Sequence, residues 1–167
     1  MTSFSSLVAE TPIGPLTVVM SSRGVVATFA TDDPAEPQAF AGRAGTTLAG
    51  QGRDSALVRR ELDAYFRGRL ERFQTPVDLS SSGNGFSRRV LEHACSIPYG
   101  ELRTYGDVAA AAGSRRAARA AGGALARCPI EVFVPCHRVV GAGPSLGSYG
   151  GHDERRRFLL RLEGAIE

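Results

Sequence analysis

The sequence predicts an α+β fold in two parts: a small amino-terminal strand/helix domain, then a mainly helical domain with a helix-turn-helix and a Cys-bearing candidate active-site loop. Three observations carry this. Leu16-Thr17-Val18-Val19-Met20 and Val25-Val26-Ala27-Thr28-Phe29 are β-rich runs around Ser22-Arg23-Gly24, which reads as a hairpin. Ser80-Ser81-Ser82-Gly83-Asn84-Gly85 has the composition of a linker. Beyond it, helical periods are punctuated by glycines. The expected organisation is 1–79 as the first domain, 80–85 as linker and 86–167 as the second domain.

In the first domain, residues 31–53 carry Pro, Gly and Asp without a clear period and read as loop. Ser55 can cap a helix over Ala56 to Arg69, where Leu57, Leu62, Tyr65 and Phe66 make an apolar stripe at helical spacing. Phe73 to Leu79 is expected to add a strand.

In the second domain, Phe86, Val90, Leu91, Ala94 and Cys95 follow a helical period that stops before Pro98-Tyr99-Gly100. Cys95 therefore reads as packing. Thr104 precedes a short helix, Tyr105 to Ala112, that Gly113 ends, and Ser114 can cap a second helix from Arg115 to about Arg127. Two short helices around a tight Gly turn make a helix-turn-helix candidate. The second helix carries almost nothing larger than a methyl group except arginines. Its Ala and Gly positions either let its backbone approach a narrow surface, with an Arg inserted as a wedge, or pack against a neighbouring helix.

Charge is asymmetric. Residues 1–83 hold eight Arg against nine acids and residues 84–167 twelve Arg against eight, within a net charge of +3. Every cation is a guanidinium, suited to phosphate, so the second half points to a polyanionic partner. The 167 residues are 43% hydrophobic and 22% charged, enough to bury a core. No stretch approaches the roughly 18 apolar residues of a membrane span, and Met1 to Glu10 lacks the pattern of a signal peptide, so a cytoplasmic protein with no membrane partner is expected. Cys95, Cys128 and Cys136 have no CxxC spacing, and His93, His137 and His152 no HExxH arrangement. Neither a disulfide framework nor a metal site is expected.

The chemistry concentrates at Pro135-Cys136-His137-Arg138-Val139. A thiolate is the reactive form of Cys and is favoured by a neighbouring base and by positive charge. On an extended strand, Cys136 and His137 would point to opposite faces. They cooperate only if the chain bends there or a water relays the proton, and Pro135 fits a bend. Gly141 to Gly151 is a glycine-rich loop bearing Tyr149 that does not match a phosphate-binding GxxxxGK[ST]. A last helix, Asp153 to Leu162, places Glu163 at its carboxyl end. A carboxylate there opposes the helix dipole unless it has a partner, and His137 is one candidate.

Together these segments resemble the O6-alkylguanine-DNA alkyltransferases. The resemblance runs in order through Ile97-Pro98-Tyr99-Gly100-Glu101, Thr104-Tyr105-Gly106, Ala117-Ala118-Arg119-Ala120, Val134-Pro135-Cys136-His137-Arg138-Val139, Tyr149-Gly150-Gly151 and Leu159-Leu160 with Glu163-Gly164. Pro12-Ile13-Gly14-Pro15-Leu16 also looks like the family's amino-terminal start. The resemblance implies a single-turnover transfer of the alkyl group from O6-alkylguanine, and from O4-alkylthymine, in double-stranded DNA to Cys136. His137 would be linked to Cys136 through a water and oriented by Glu163. Arg119 would enter the base stack through the minor groove, and Tyr105 would help rotate the backbone and donate to the departing base. Thr104, Ala117, Ala118, Ala121 and Gly122 would join Arg119 and Tyr105 against DNA. Val139, Tyr149 and Gly150 would line the base pocket. No cofactor is implied. A monomer in solution is expected, with cooperative assembly on DNA left open.

Two positions depart from the family: Cys128 replaces the usual Asn in the turn before the Cys segment, and Glu131 replaces a small apolar residue or Pro at the pocket wall. Zinc-binding members use amino-terminal Cys and His, which residues 1–83 lack. A non-catalytic lesion-binding or regulatory module on the same scaffold is the alternative, against which Cys136, His137, Tyr105 and Arg119 argue. A cysteine hydrolase is disfavoured by the basic helix-turn-helix.

Overall fold

A computed structural model describes residues 3–143, 146–147 and 152–167, and its contacts divide the chain into two compact units with the boundary between Ser81 and Ser82. The first unit is built on an antiparallel sheet of three strands in sequence order, β1 (Ser5–Thr11), β2 (Gly14–Ser21) and β3 (Gly24–Phe29). Strand β2 buries Leu16 to Met20 without interruption because it is central and covered on both faces. On one of them Val19, Val26 and Ala27 pack with Phe4, Phe29, Phe40 and Leu48. Edge strand β1 alternates, with Leu7 and Ala9 buried and Val8 exposed.

Helix α1 (Ala35–Arg43) lies where the composition predicts loop. It buries only Pro37 and Ala41, so its apolar face is too sparse to make a period. Helix α2 (Ser55–Phe66) packs against β1 and buries Val58, Leu62 and Tyr65. Asp54, not Ser55, is its N-cap; the Ser55 hydroxyl instead accepts from the Gly52 N–H at 2.9 Å.

Segment 73–79 is not a strand. Two of its backbone N–H groups are taken by a buried side chain: Glu61 accepts from the N–H of Gln74 at 2.6 Å, the N–H of Thr75 at 2.9 Å and the Thr75 hydroxyl, while the Asp78 N–H donates to Val25 O at 2.7 Å. One parallel bridge joins Val25 to Val77, and a 3-10 turn, Leu79–Ser81, follows.

The second unit comprises α3 (Gly85–Cys95), the two-residue strand β4 (Arg103–Thr104), α4 (Tyr105–Ala111), a 3-10 turn (Arg115–Ala117) continuing into α5 (Ala118–Ala126), a second 3-10 turn (Cys136–Arg138), β5 (Val139–Val140) and α6 (Asp153–Leu162). Helix α3 buries Val90, Leu91 and Ala94, whereas Cys95 is exposed, contrary to its expected packing role. Helix α4 starts in a full capping box: Thr104 Oγ1 accepts from the Asp107 N–H at 3.1 Å, and the Asp107 carboxylate accepts from the Thr104 N–H at 2.9 Å. The helix stops in a Schellman motif, with Gly113 at φ 108°, Gly113 N–H donating to Ala110 O and Ser114 N–H to Ala109 O. Ser114 makes no side-chain cap, which is why the next helix begins as a 3-10 turn and becomes α only at Ala118. Among the described residues no helix is long and apolar enough to cross a membrane.

Replacing Glu61 with Ala strands the buried N–H and hydroxyl of Thr75 and the part-buried N–H of Gln74. The expected loss is on the order of 2–3 kcal/mol, read by urea denaturation. Exposed Glu71→Ala is the control, and an equal effect of the two would refute the stapling role.

Candidate active site

Two tight turns deliver Cys136. Phe133 N–H donates to Glu131 O at 2.9 Å around Val132, whose φ of 74° is the one positive value outside glycine among the described residues. That is a γ-turn of the rarer hand, strained for a β-branched residue. Cys136 N–H then donates to Val134 O at 2.8 Å around Pro135 at φ −79°, ψ 58°, an inverse γ-turn that proline's fixed φ favours. No strand precedes Cys136. The chain passes directly into the Cys136–Arg138 3-10 turn, closed by Arg138 N–H to Pro135 O at 3.0 Å. Successive side chains of such a turn lie about a third of a revolution apart rather than on opposite faces.

All three side chains of the turn are buried. His137 is fully enclosed, and its Nε2 pairs with Glu163 Oε1 at 2.7 Å. Its Nδ1 is buried without a hydrogen-bond partner among the described residues. Arg138 donates to the same carboxylate through Nε at 2.8 Å and Nη2 at 2.9 Å, and to Ile97 O through Nη1 at 2.6 Å. The Tyr99 ring lies 5.8 Å from the Arg138 guanidinium carbon, and the Tyr99 hydroxyl donates to Leu162 O at 3.2 Å. Glu163 is the C-cap of α6, and Gly164 at φ 72° ends that helix in another Schellman motif through Arg161 O and Leu160 O. The unfavourable dipole position is thus offset by a cation and an imidazole.

Burial holds the His137 pKa below its ordinary value, and the Arg138 charge acts in the same direction, while the bond to Glu163 opposes both. A neutral ring that donates from Nε2 to a carboxylate leaves Nδ1 as an acceptor. Cys136 is held well above the usual thiol range, first by the hydrogen bond it shares with Cys128 and then by burial. The same bond lowers Cys128 against the desolvation it suffers, so the two thiols titrate as a pair.

Tyr105 opens α4 immediately after β4, which pairs in parallel with β5: Arg103 opposes Val139 and Thr104 opposes Val140. The ladder fixes the start of α4 beside the segment leaving the Cys turn. The Tyr105 ring lies between two glycines. A methyl group on Gly122 would sit 3.7 Å from one ring edge, and one on Gly147 would sit 3.4 Å from the other. Arg115, Arg116, Arg119 and Ala120 are exposed, while Ala117, Ala118 and Gly122 are half-buried. Ala121 is fully buried, so its methyl group packs inward instead of facing a ligand as expected.

A cavity of about 180 Å³ is lined by Leu125, Ala126, Cys128, Ile130, Glu131, Cys136 and His152. Glu131 is not free at its wall, since it is ion-paired with Arg155 of α6. Val139 is buried beside the turn, and Tyr149 and Gly150 lie outside the described residues. Buried Arg156 donates to Gly147 O and so ties Gly147, within the glycine-rich segment, to α6. Reading the sequence missed Arg138 and Arg156 as buried anchors. The only signal for the first was its place beside Cys136 and His137, and α6 offers three successive arginines with nothing to single out the second. Among the described residues no group of His, Cys, Asp and Glu is arranged to hold a metal ion.

Comparison with known proteins gives matches to both units. Residues 6–79 match the 6-O-methylguanine DNA methyltransferase ribonuclease-like domain, and residues 85–165 match the DNA binding domain of the same family. The chain belongs to the 6-O-methylguanine DNA methyltransferase family. A relative from Mycobacterium leprae (strain TN), a methylated-DNA–protein-cysteine methyltransferase, is 42% identical over 92% of this chain and 88% of its own length. The crystal structure of Mycobacterium tuberculosis O6-methylguanine methyltransferase is similar with a TM-score of 0.79 and 36% identity, covering all of this chain and 95% of that one. The Mycobacterium tuberculosis relative in complex with DNA gives a TM-score of 0.81 at 36% identity over 95% of this chain and 92% of that one. These matches agree with the α+β class predicted from the sequence.

Removing the Arg138 charge leaves the Glu163 carboxylate buried against His137 with its neutralising cation gone. For Arg138→Met the expected destabilisation is roughly 3–5 kcal/mol, against at most about 0.5 kcal/mol for exposed Arg115→Met. Both are read by urea denaturation, and near-equal effects would show that the buried network does not hold the turn.

Proposed function

We propose that Cys136 accepts the alkyl group of O6-alkylguanine, and of O4-alkylthymine, from double-stranded DNA in a single irreversible act. The observation that carries this reading is the His137 ring: Nε2 is committed to Glu163, and Nδ1 is buried and open in the same turn as Cys136. A buried acceptor of this kind accommodates a bridging water. Through it, the Cys136 proton passes to Nδ1 at the moment of reaction.

The thiolate then attacks the alkyl carbon. A C–S bond forms as the C–O6 bond breaks, and the electron pair leaves with the guanine. The Tyr105 hydroxyl, held at the start of α4, donates to the departing base and neutralises its charge. The proton taken by His137 returns through solvent, so the net products are a thioether and an unmodified guanine. A thioether does not leave again in water, and turnover ends there. No cofactor is required, because nucleophile, base and proton donor all belong to the chain. The high resting pKa of Cys136 keeps it a protonated thiol between encounters.

A stacked base cannot reach a buried sulfur, so the nucleotide must be extruded. Exposed Arg119 on α5, flanked by small side chains, is suited to entering the minor groove and filling the vacated space, with exposed Arg115 and Arg116 on phosphates. Thr104, Ala117, Ala118 and Gly122 let the backbone approach, and Val139, Tyr149 and Gly150 complete the base pocket. A reducing, cytoplasmic setting suits three free thiols.

Intact-protein mass spectrometry with peptide mapping, after incubation with a duplex containing O6-methylguanine, is expected to show one methyl group on Cys136. Cys136→Ala should gain none while still binding DNA, and Arg119→Ala should react about tenfold or more slowly with duplex yet normally with free O6-benzylguanine. Methyl on Cys128, repeated turnover, or equal slowing on both substrates would refute the corresponding role.

A further inference from the structure

Of the two thiols the proposed reaction does not use, Cys95 and Cys128, it is Cys128 that shares a cavity with the thiol the reaction consumes. Cys128 and Cys136 both line the 180 Å³ cavity, and each is the leading side-chain influence on the other's thiol. Cys128 is half-buried where Cys136 is buried, and its thiol also contacts Ile130 O at 3.5 Å. Residues 129–135 contain turns and a single bridge, from Glu131 to Val134, but no helix or ladder. The approach of the two sulfurs to a bond of about 2.05 Å therefore falls on turns rather than on a rigid element. Cys128 itself follows directly on the end of α5, with its N–H on Leu125 O at 3.1 Å.

We propose that Cys128 and Cys136 form a reversible disulfide on exposure to hydroperoxides, storing the acceptor thiol in an oxidised, recoverable form. Cys128, the more accessible of the two, attacks the peroxide as its thiolate. An S–O bond forms, the O–O bond breaks and alkoxide or hydroxide leaves, taking a proton from solvent. The Cys136 sulfur then attacks the sulfenic sulfur of Cys128. The S–S bond forms, the S–O bond breaks, and the hydroxide leaves as water with the Cys136 proton. In sum, two thiols and one hydroperoxide give a disulfide, an alcohol or water, and a second water. A dithiol reductant reverses the oxidation, whereas a sulfinic acid on Cys136 is not recovered that way. For a protein spent after one repair, loss of that sulfur to over-oxidation is loss of the molecule; this consequence rests on Cys136 being the acceptor, but the disulfide does not. Cys95, exposed at the end of α3, serves as an internal reference, since partial desolvation first, and then the nearby Cys128 and Glu92, push its thiol up to about 11.

The test treats the full chain with one equivalent of hydrogen peroxide, blocks remaining thiols with iodoacetamide and maps peptides without reduction. A Cys128–Cys136 linked peptide with Cys95 carboxamidomethylated is expected, and dithiothreitol should return both thiols. Methyl uptake from O6-methylguanine duplex should fall in proportion to the disulfide and return fully with dithiothreitol. In Cys128→Ser, excess peroxide should leave sulfinic acid on Cys136 and uptake that dithiothreitol does not restore. Linkage of Cys95 instead, or sulfinic Cys136 in wild-type protein while Cys128 stays reduced, would overturn the proposal. If the linked peptide forms but the reduced protein takes up no methyl group, the disulfide stands and the acceptor role of Cys136 falls.

Discussion

The Glu163 carboxylate is the point at which the second unit's separate segments are tied together. It leaves the end of α6 at a stop enforced by Gly164, and it receives His137 and both forks of Arg138 from the 3-10 turn. Arg138 in turn reaches Ile97 O at the end of α3, and Tyr99 lies over its guanidinium while bonding Leu162. Removing three such groups from water is costly, and a well-packed apolar cluster of similar size would stabilise the unit as well or better. What the network supplies is position. A half-satisfied version strands a buried charge, so displaced arrangements of the turn are disfavoured more strongly than the native one is stabilised.

The charge balance also decides the state of the base. Arg138 neutralises Glu163 through two hydrogen bonds, which leaves less of the carboxylate's field to hold a proton on His137. With burial acting first against the imidazolium, the ring remains neutral. A His137 paired with an unshared carboxylate would be drawn toward the charged form and could not accept the Cys136 proton. In the proposed reaction Arg138 is thus a positioning residue that also leaves His137 free to take a proton. The two γ-turns before Cys136 belong to the same design, because the strain at Val132 is tolerated where the following turn is over-determined by buried bonds.

Much of this was legible in the amino-acid order, for identifiable reasons. Strands β2 and β3 announce themselves because a central strand is apolar throughout, and α2 and α3 because one face of each is buried at helical spacing. Thr104 and Gly113 mark the two ends of α4 by their capping chemistry. Strand β1 was not legible, since an edge strand with two buried side chains, Leu7 and Ala9, leaves too short an alternation. Helix α1 was hidden by its own Pro37. Segment 73–79 has β-rich residues but loses its ladder to Glu61, a partner fourteen residues away in the case of Thr75. At the site, Cys136 and His137 stand out by their chemistry, and Glu163 by its conflict with the helix dipole. The buried roles of Arg138 and Arg156 run against the usual exposure of arginine and depend on carbonyls and carboxylates brought together only by folding. The contact between Cys128 and Cys136 is likewise tertiary, since seven residues of turn separate them.

The proposed reaction requires His137 to be a neutral base, protonated on Nε2 and open at Nδ1. Long-range 1H–15N correlation spectra of the imidazole across pH test it directly. An Nε2–H tautomer is expected, with protonation of Nδ1 setting in only below the ordinary histidine value of about 6.5. An imidazolium at neutral pH, or a ring carrying its proton on Nδ1, would contradict it.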